Sequence, residues 1–157
     1  MSVAGLRAQP GRPEDLPALL QLERLTDSHP WTAQQFGRPL RGGGECVWLL
    51  RGPDADGGPA PIHAYSVVQV VADELHVHKL AVHPARRRSG LGRMLLEHVL
   101  RWGQSRGARK AQLEVRRENR PARRLYRRLG FHEVGARPGY YSLPPDDAVL
   151  LSRPLPP

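Results

Sequence analysis

Arg87-Arg88-Ser89-Gly90-Leu91-Gly92 is the stretch whose residue types lend themselves most directly to chemistry. Two glycines let the backbone bend and approach a ligand closely, and the apolar-periodic segment that follows reads as a helix. Its unpaired N–H groups and positive dipole end point back at the same turn. The combination is an anion site, most simply for a phosphate or pyrophosphate. A Gly-x-Gly turn before a helix also serves ordinary strand-to-helix packing, so the rest of the chain has to decide between the two.

Other residues carry weaker signals. His76 and His78 share a strand face and invite a metal reading, but no third ligand is evident, and solvated or hydrogen-bonded histidines are the expectation. Cys46 is the single cysteine; it permits no internal disulfide, gives no metal-ligand spacing, and reads as inert packing amid apolar strand residues.

The formal charge of +9 is unevenly placed. Residues 84–157 hold 17 Lys+Arg against 6 Asp+Glu, whereas residues 1–83 hold 7 against 9. The basic excess therefore begins with the glycine turn, where it would attract a phosphate-bearing cofactor or RNA. The plainer reading, that the arginines decorate solvated helix faces, stands beside it.

The elements that must position these groups follow from periodicity. At 157 residues the chain is expected to form one domain, residues 1–157, with a real hydrophobic core. Val3 to Ala8 reads as a first strand. Pro10 to Asp15 marks the entry to a helix whose apolar face is Leu16, Leu19, Leu20, Leu22 and Leu25. Thr32 is placed to cap a second helix carrying Phe36 and Leu40, with Trp31 and Phe36 expected in the core. Cys46 to Leu50 and Ile62 to Val71 read as strands across a polar loop, and Leu75 to His83 as the strand that ends at the glycine turn.

Past that turn Leu91, Leu95, Val99 and Trp102 recur at helical spacing, and Gly107 ends the helix. Ala111 to Val115 is the next strand. Asn119 can cap a further helix with Pro121 in its first turn, apolar contacts at Ala122, Leu125, Tyr126 and Leu129, and Gly130 as its stop. Phe131 to Val134 and Ala148 to Leu151 close the sheet as an antiparallel pair. The pattern predicts an α/β (α+β) fold with a mixed, mostly antiparallel sheet, helices on both faces, and a right-handed crossover around the glycine-turn helix.

The order Leu80-Ala81-Val82, Arg87-x-x-Gly90-x-Gly92, Leu113-Glu114-Val115, Asn119 and Leu125-Tyr126-x-x-Leu129-Gly130-Phe131 resembles the GNAT N-acetyltransferases. Within that superfamily the chain is similar, from about Leu16 to Leu151, to the bacterial ribosomal-protein alanine N-acetyltransferases of the RimI type. Ser28-His29-Pro30-Trp31-Thr32, Gly92 to His98 and Arg137-Pro138-Gly139-Tyr140-Tyr141 support it. The resemblance implies a GNAT-like fold with acetyl-CoA as co-substrate and no metal. Leu80, Ala81 and Val82 would hold the acetyl-pantetheine arm by main-chain bonds, Arg88, Ser89, Gly90, Leu91, Gly92 and Arg93 the pyrophosphate, and Asn119 the pantetheine. It also implies Glu114 as general base and Tyr126 as general acid. Where relatives usually carry an apolar residue and an asparagine before Leu80, this chain has His78 and Lys79, a departure on the substrate side.

The implied reaction is direct acetyl transfer to an N-terminal amine, alanine in a small-subunit ribosomal protein. An unperturbed α-amino group has a pKa of about 7.7 to 8.0 against about 10.4 for lysine, so one carboxylate is a sufficient base. Without the motif, Glu114 reads equally as a strand residue paired with an arginine, and Tyr126 as a core residue. Loops around Thr26 to Trp31 and Arg137 to Pro145 are expected to flank the amine. Asp73, Glu74, Asp146 or Asp147 would offset the positive charge for a basic substrate.

Two other functions remain open. One is a GNAT acetylating protein lysines or a small-molecule amine; the other is a non-catalytic, basic ribosome- or RNA-binding module, against which Glu114 and Tyr126 stand. No apolar run approaches the ~20 residues of a membrane span and the N-terminal residues lack a signal-peptide layout, so a cytoplasmic monomer without DNA or membrane partners is expected.

Overall fold

A computed structural model of the chain describes residues 5–53 and 56–157. In chain order the elements are β1 (Arg7–Pro10), α1 (Leu16–Thr26), α2 (Ala33–Arg41), β2 (Glu45–Arg51), β3 (Ile62–Val71), β4 (Glu74–Val82), α3 (Leu91–Ser105), β5 (Lys110–Arg116), α4 (Arg120–Arg128), β6 (His132–Ser142) and β7 (Pro145–Pro154). The strands hydrogen-bond in the order β1-β2-β3-β4-β5-β7-β6. Pairing is antiparallel for β1 with β2, β2 with β3, β5 with β7 and β6 with β7, and parallel for β4 with β5, as a strand-helix-strand unit requires.

The first strand lies later than periodicity placed it: Arg7 to Pro10 pairs with β2, while Val3 and Ala4 lie outside the described residues. Leu25 is the other departure, exposed at 55% because it falls off the stripe that buries Leu19 and Leu22. The last two strands are also far longer than the apolar residues within them, since their outer halves are held by the hairpin ladder and by polar side chains.

The described chain divides into two compact units. One comprises the chain up to Gln69 with Lys79–Val99. Its core is Leu19, Leu22, Phe36, Leu40, Val47, Leu49, Ile62, Tyr65 and Val67, with Trp31 and Ala81 packed against it. Each such side chain contributes roughly 1.5–3 kcal/mol by leaving water. Thr32 caps α2 as the sequence predicts: its hydroxyl accepts the Gln35 N–H, and the Gln35 side chain returns to the Thr32 N–H at 2.8 Å.

The other unit comprises Val70–His78 and Leu100–Pro157. It buries Leu75, Val77, Leu113, Val115, Tyr126, Phe131, Val149 and Leu151. A methyl group added at Gly103 would come within 2.8 Å of Leu75, so only glycine lets the end of α3 sit this close to β4. In β5 the strict alternation of buried and open positions sends Ala111, Leu113 and Val115 inward and leaves Gln112, Glu114 and Arg116 on the open face.

Candidate active site

The glycine turn is built as an anion cradle. After a 3-10 turn at Pro84–Arg86, capped by the His83 ring accepting the Ala85 N–H at 3.0 Å, the chain reaches Arg88 and Gly90 in the left-handed region, at φ 62° and 83°. Gly90 carries the turn because L side chains avoid that region, and nothing lies within 4 Å of where its Cβ would stand. Gly92 plays a different part from the one its spacing suggests: it lies inside α3 rather than in the bend. The first helical hydrogen bond runs from the Met94 N–H to the Gly90 carbonyl, leaving the earlier N–H groups of α3 free to face an anion. The Ser89 hydroxyl donates to the Arg86 carbonyl. Arg93 reaches along the helix to Glu97 at 3.0 Å.

Leu80, Ala81 and Val82 are half-buried at the end of β4. The parallel ladder with β5 runs from Glu74 opposite Lys110 to Val77 opposite Leu113, so these three residues lie past its end. Their main chain can serve an extended ligand as another strand would.

In the other unit, Glu114, Asn119 and Tyr126 come from β5, the cap of α4 and its second turn. The Asn119 side chain accepts the Ala122 N–H at 3.3 Å, so it is a helix cap. Tyr126 is 7% exposed and its ring meets Phe131 edge-on at 5.8 Å. Burial, with a smaller push from Tyr141, raises its phenol to about 12. Such a hydroxyl stays protonated throughout the physiological range. The Glu114 carboxylate lies 3.4 Å from the Arg137 guanidinium. Both plain readings of these residues are thus realised, an arginine-paired carboxylate and a packed tyrosine, and neither prevents the other role.

Tyr141 links the two. Burial raises its phenol first and the charge of Glu114 second, while Arg116, 4.1 Å above the ring, opposes both. Arg116 also donates to the carbonyls of Pro144 and Leu143 at 2.8 and 3.1 Å, which holds the β6–β7 turn against β5. Arg116 and Arg137 stand beside Tyr141 and Glu114, and the sequence assigns neither of them that place. Period-two spacing from Glu114 marks Arg116, but nothing local pairs Arg137 with Glu114: their strands are joined through β7, where Ala148 pairs with both Arg116 and Arg137.

Of the acids expected to favour a basic substrate, Glu74, Asp146 and Asp147 are already engaged. Glu74 binds Lys110 at 3.0 Å and His76 at 3.1 Å, and Lys110 holds its carboxyl below the usual range. Asp146 accepts the Glu118 and Asp147 N–H groups. Asp147 accepts the Gly139 N–H and faces Arg117 at 3.4 Å. His76 and His78 stack at 6.1 Å, and no group of three metal-ligating side chains occurs among the described residues. No helix among them is long and apolar enough to cross a membrane.

Comparison with known proteins bears on this arrangement. The acetyltransferase (GNAT) family profile matches residues 13–131. The ribosomal protein bS18-alanine N-acetyltransferase of Salmonella typhimurium is 38% identical over 143 residues, covering 90% of this chain and 92% of that one. The crystal structure of the ribosomal-protein-S18-alanine N-acetyltransferase from Escherichia coli superposes with a TM-score of 0.84 at 32% identity, covering 96% and 94% of the two chains. Arabidopsis thaliana NAA60 in complex with acetyl-CoA shares the fold, with a TM-score of 0.85 at 21% identity over 96% of this chain and 98% of that one.

Proposed function

The chain belongs to the GNAT acetyltransferase family and is an acetyl-CoA-dependent N-acetyltransferase, and we propose that its acceptor is the N-terminal alanine amine of a small-subunit ribosomal protein. The observation that carries this reading is the 38% identity, over nine-tenths of both chains, to an enzyme named for that reaction. This chain's proposed place of action is the cytoplasm.

The residues fit the co-substrate. Free N–H groups at the start of α3, the open left-handed bend at Gly90, and Arg88 and Arg93 suit a pyrophosphate. Ser89, Gly90, Leu91 and Gly92 would contribute main-chain groups. Leu80, Ala81 and Val82 would hold the extended pantetheine arm, one N–H polarising the thioester carbonyl. Asn119 would add a side-chain contact beside its capping bond.

The acceptor nitrogen attacks the thioester carbonyl carbon, so a C–N bond forms as the C–S bond breaks. Glu114, directly or through one water, takes the proton the amine sheds, and Tyr126 gives its proton to the departing thiolate. Burial keeps Tyr126 protonated at neutral pH and at the same time makes it a weaker acid toward a thiolate, whose unperturbed pKa is about 8.5. The segments Thr26 to Trp31 and Arg137 to Pro145 would flank the amine, with Tyr140 and Tyr141 as walls.

The test is a mass-spectrometric time course with acetyl-CoA and two peptides, one basic with a free N-terminal alanine, the other N-blocked with a free lysine. Fast modification of the first alone is expected. Modification of the lysine peptide alone would move the enzyme to the lysine acetyltransferases.

A further inference from the structure

Lys79 immediately precedes Leu80-Ala81-Val82 on β4, yet its ammonium is turned away from water, the side chain being 13% exposed. It bonds the carboxylate of Glu23 on α1, which is wholly buried. Asp27 stands on its other side at 3.2 Å, and the Trp31 ring lies 4.9 Å away. Glu23 also accepts the Tyr65 hydroxyl and, at 2.9 Å, the Trp31 N–H. The second oxygen of Asp27 accepts the His29 N–H at 2.9 Å.

Every bond in this cluster that does not involve β3 or β4 ends on α1 or on the connection between α1 and α2. Asp27, His29 and Trp31 belong to that connection, and Thr32 closes it by capping α2. One ammonium sits between two carboxylates, so removing it would leave them facing each other and drive the half-exposed Asp27 toward water, taking the connection with it. The main chain of Lys79 is held separately, its carbonyl accepting the Ser66 hydroxyl at 2.7 Å. A side-chain change at Lys79 therefore leaves β4 anchored to β3.

We propose that Lys79 is a positioning residue for the acceptor: its ammonium, shared by Glu23 and Asp27, pins residues 27–31 to β4 and so sets the affinity for the amine, without touching the reacting atoms. This rests on the reading above that residues 26–31 flank the acceptor. The neutral, similarly shaped K79M breaks the tie, and K79R keeps the charge.

The experiment uses the full chain with the alanine-first peptide, or with whichever amine the wild type proves to acetylate. It measures both KM values and amide hydrogen exchange. K79M should raise the acceptor KM about fivefold or more while the acetyl-CoA KM stays within about twofold. Exchange across residues 27–32 should quicken about tenfold, with residues 80–96 unchanged. K79R should restore both.

Because a lone buried Glu23 carboxylate could unfold K79M, the double variant E23Q/K79M is measured beside it with the same expected split in KM. An unchanged acceptor KM, a parallel rise in both KM values, or K79R behaving like K79M would overturn the proposal. Failure of the functional reading shows separately, as a wild type that prefers the N-blocked lysine peptide.

Discussion

The Glu114 carboxylate stands 3.4 Å from the Arg137 guanidinium, so the group assigned to receive the acceptor's proton already holds a cation. Both side chains are partly exposed, and a pair of this kind is worth about 1 kcal/mol or less. An incoming ammonium can therefore displace the guanidinium. R137Q should lower the acceptor KM by about two- to fivefold, leave the acetyl-CoA KM unchanged and hardly alter the melting temperature. Steady-state kinetics with each substrate varied in turn would show it; a rise in the acceptor KM would mean that Arg137 binds the substrate instead of competing with it.

Glu114→Gln keeps the shape of the site and removes the proposed base. A positioned general base contributes about 10²–10⁴-fold, so kcat should fall in that range with the acetyl-CoA KM unchanged. Tyr126→Phe should lower kcat as well, and by less, because solvent can protonate a thiolate whose unperturbed pKa is about 8.5. Rates within twofold of wild type for E114Q would leave Glu114 as nothing more than the partner of Arg137.

The legibility of these residues in the sequence differs with the range of the force that places them. Thr32, Asn119 and Gly90 could be read because caps and turns are settled by neighbours three or four residues away. The core faces of α1 and α3 follow from periodicity, apart from the exposed Leu25 and the half-buried Leu16, Leu20 and Trp102. Lys79 reads from the sequence as no more than a departure on the substrate side, because its partners Glu23 and Asp27 lie more than fifty residues away. Arg137 reads from the sequence as part of a family motif and as the start of a flanking loop, and its pairing with Glu114 has no local signature because it runs across β7.

Gly90→Ala should damage donor binding more than acceptor binding. At φ 83° an alanine costs about 1–2 kcal/mol, and space around the absent Cβ cannot relieve a backbone penalty. Relaxation of the bend would turn the first N–H groups of α3 away from the pyrophosphate. The expected result is a higher acetyl-CoA KM with little change in the acceptor KM, readable by the same kinetics.

Stability should fall in alkali above about pH 10 because two buried tyrosines resist ionisation. Burial raises Tyr126 to about 12, and burial together with Glu23 raises Tyr65 further. Below the unfolded value of about 10 both states keep the proton and the stabilisation is complete. From there to about 12 the unfolded chain loses a proton that native Tyr126 retains, removing about 1.4 kcal/mol per pH unit for that group. Urea melts at about pH 9, 10 and 11, followed by tyrosinate absorbance, would test this; constant stability across the range would contradict it.

One peptide that carries both a free N-terminal alanine and an internal lysine, incubated with acetyl-CoA and sequenced by tandem mass spectrometry, makes the two acceptors compete directly. A single acetyl group is expected on the alanine nitrogen, added far more slowly by the E114Q variant. Acetylation of the lysine side chain with the terminal amine left free would contradict the proposed acceptor.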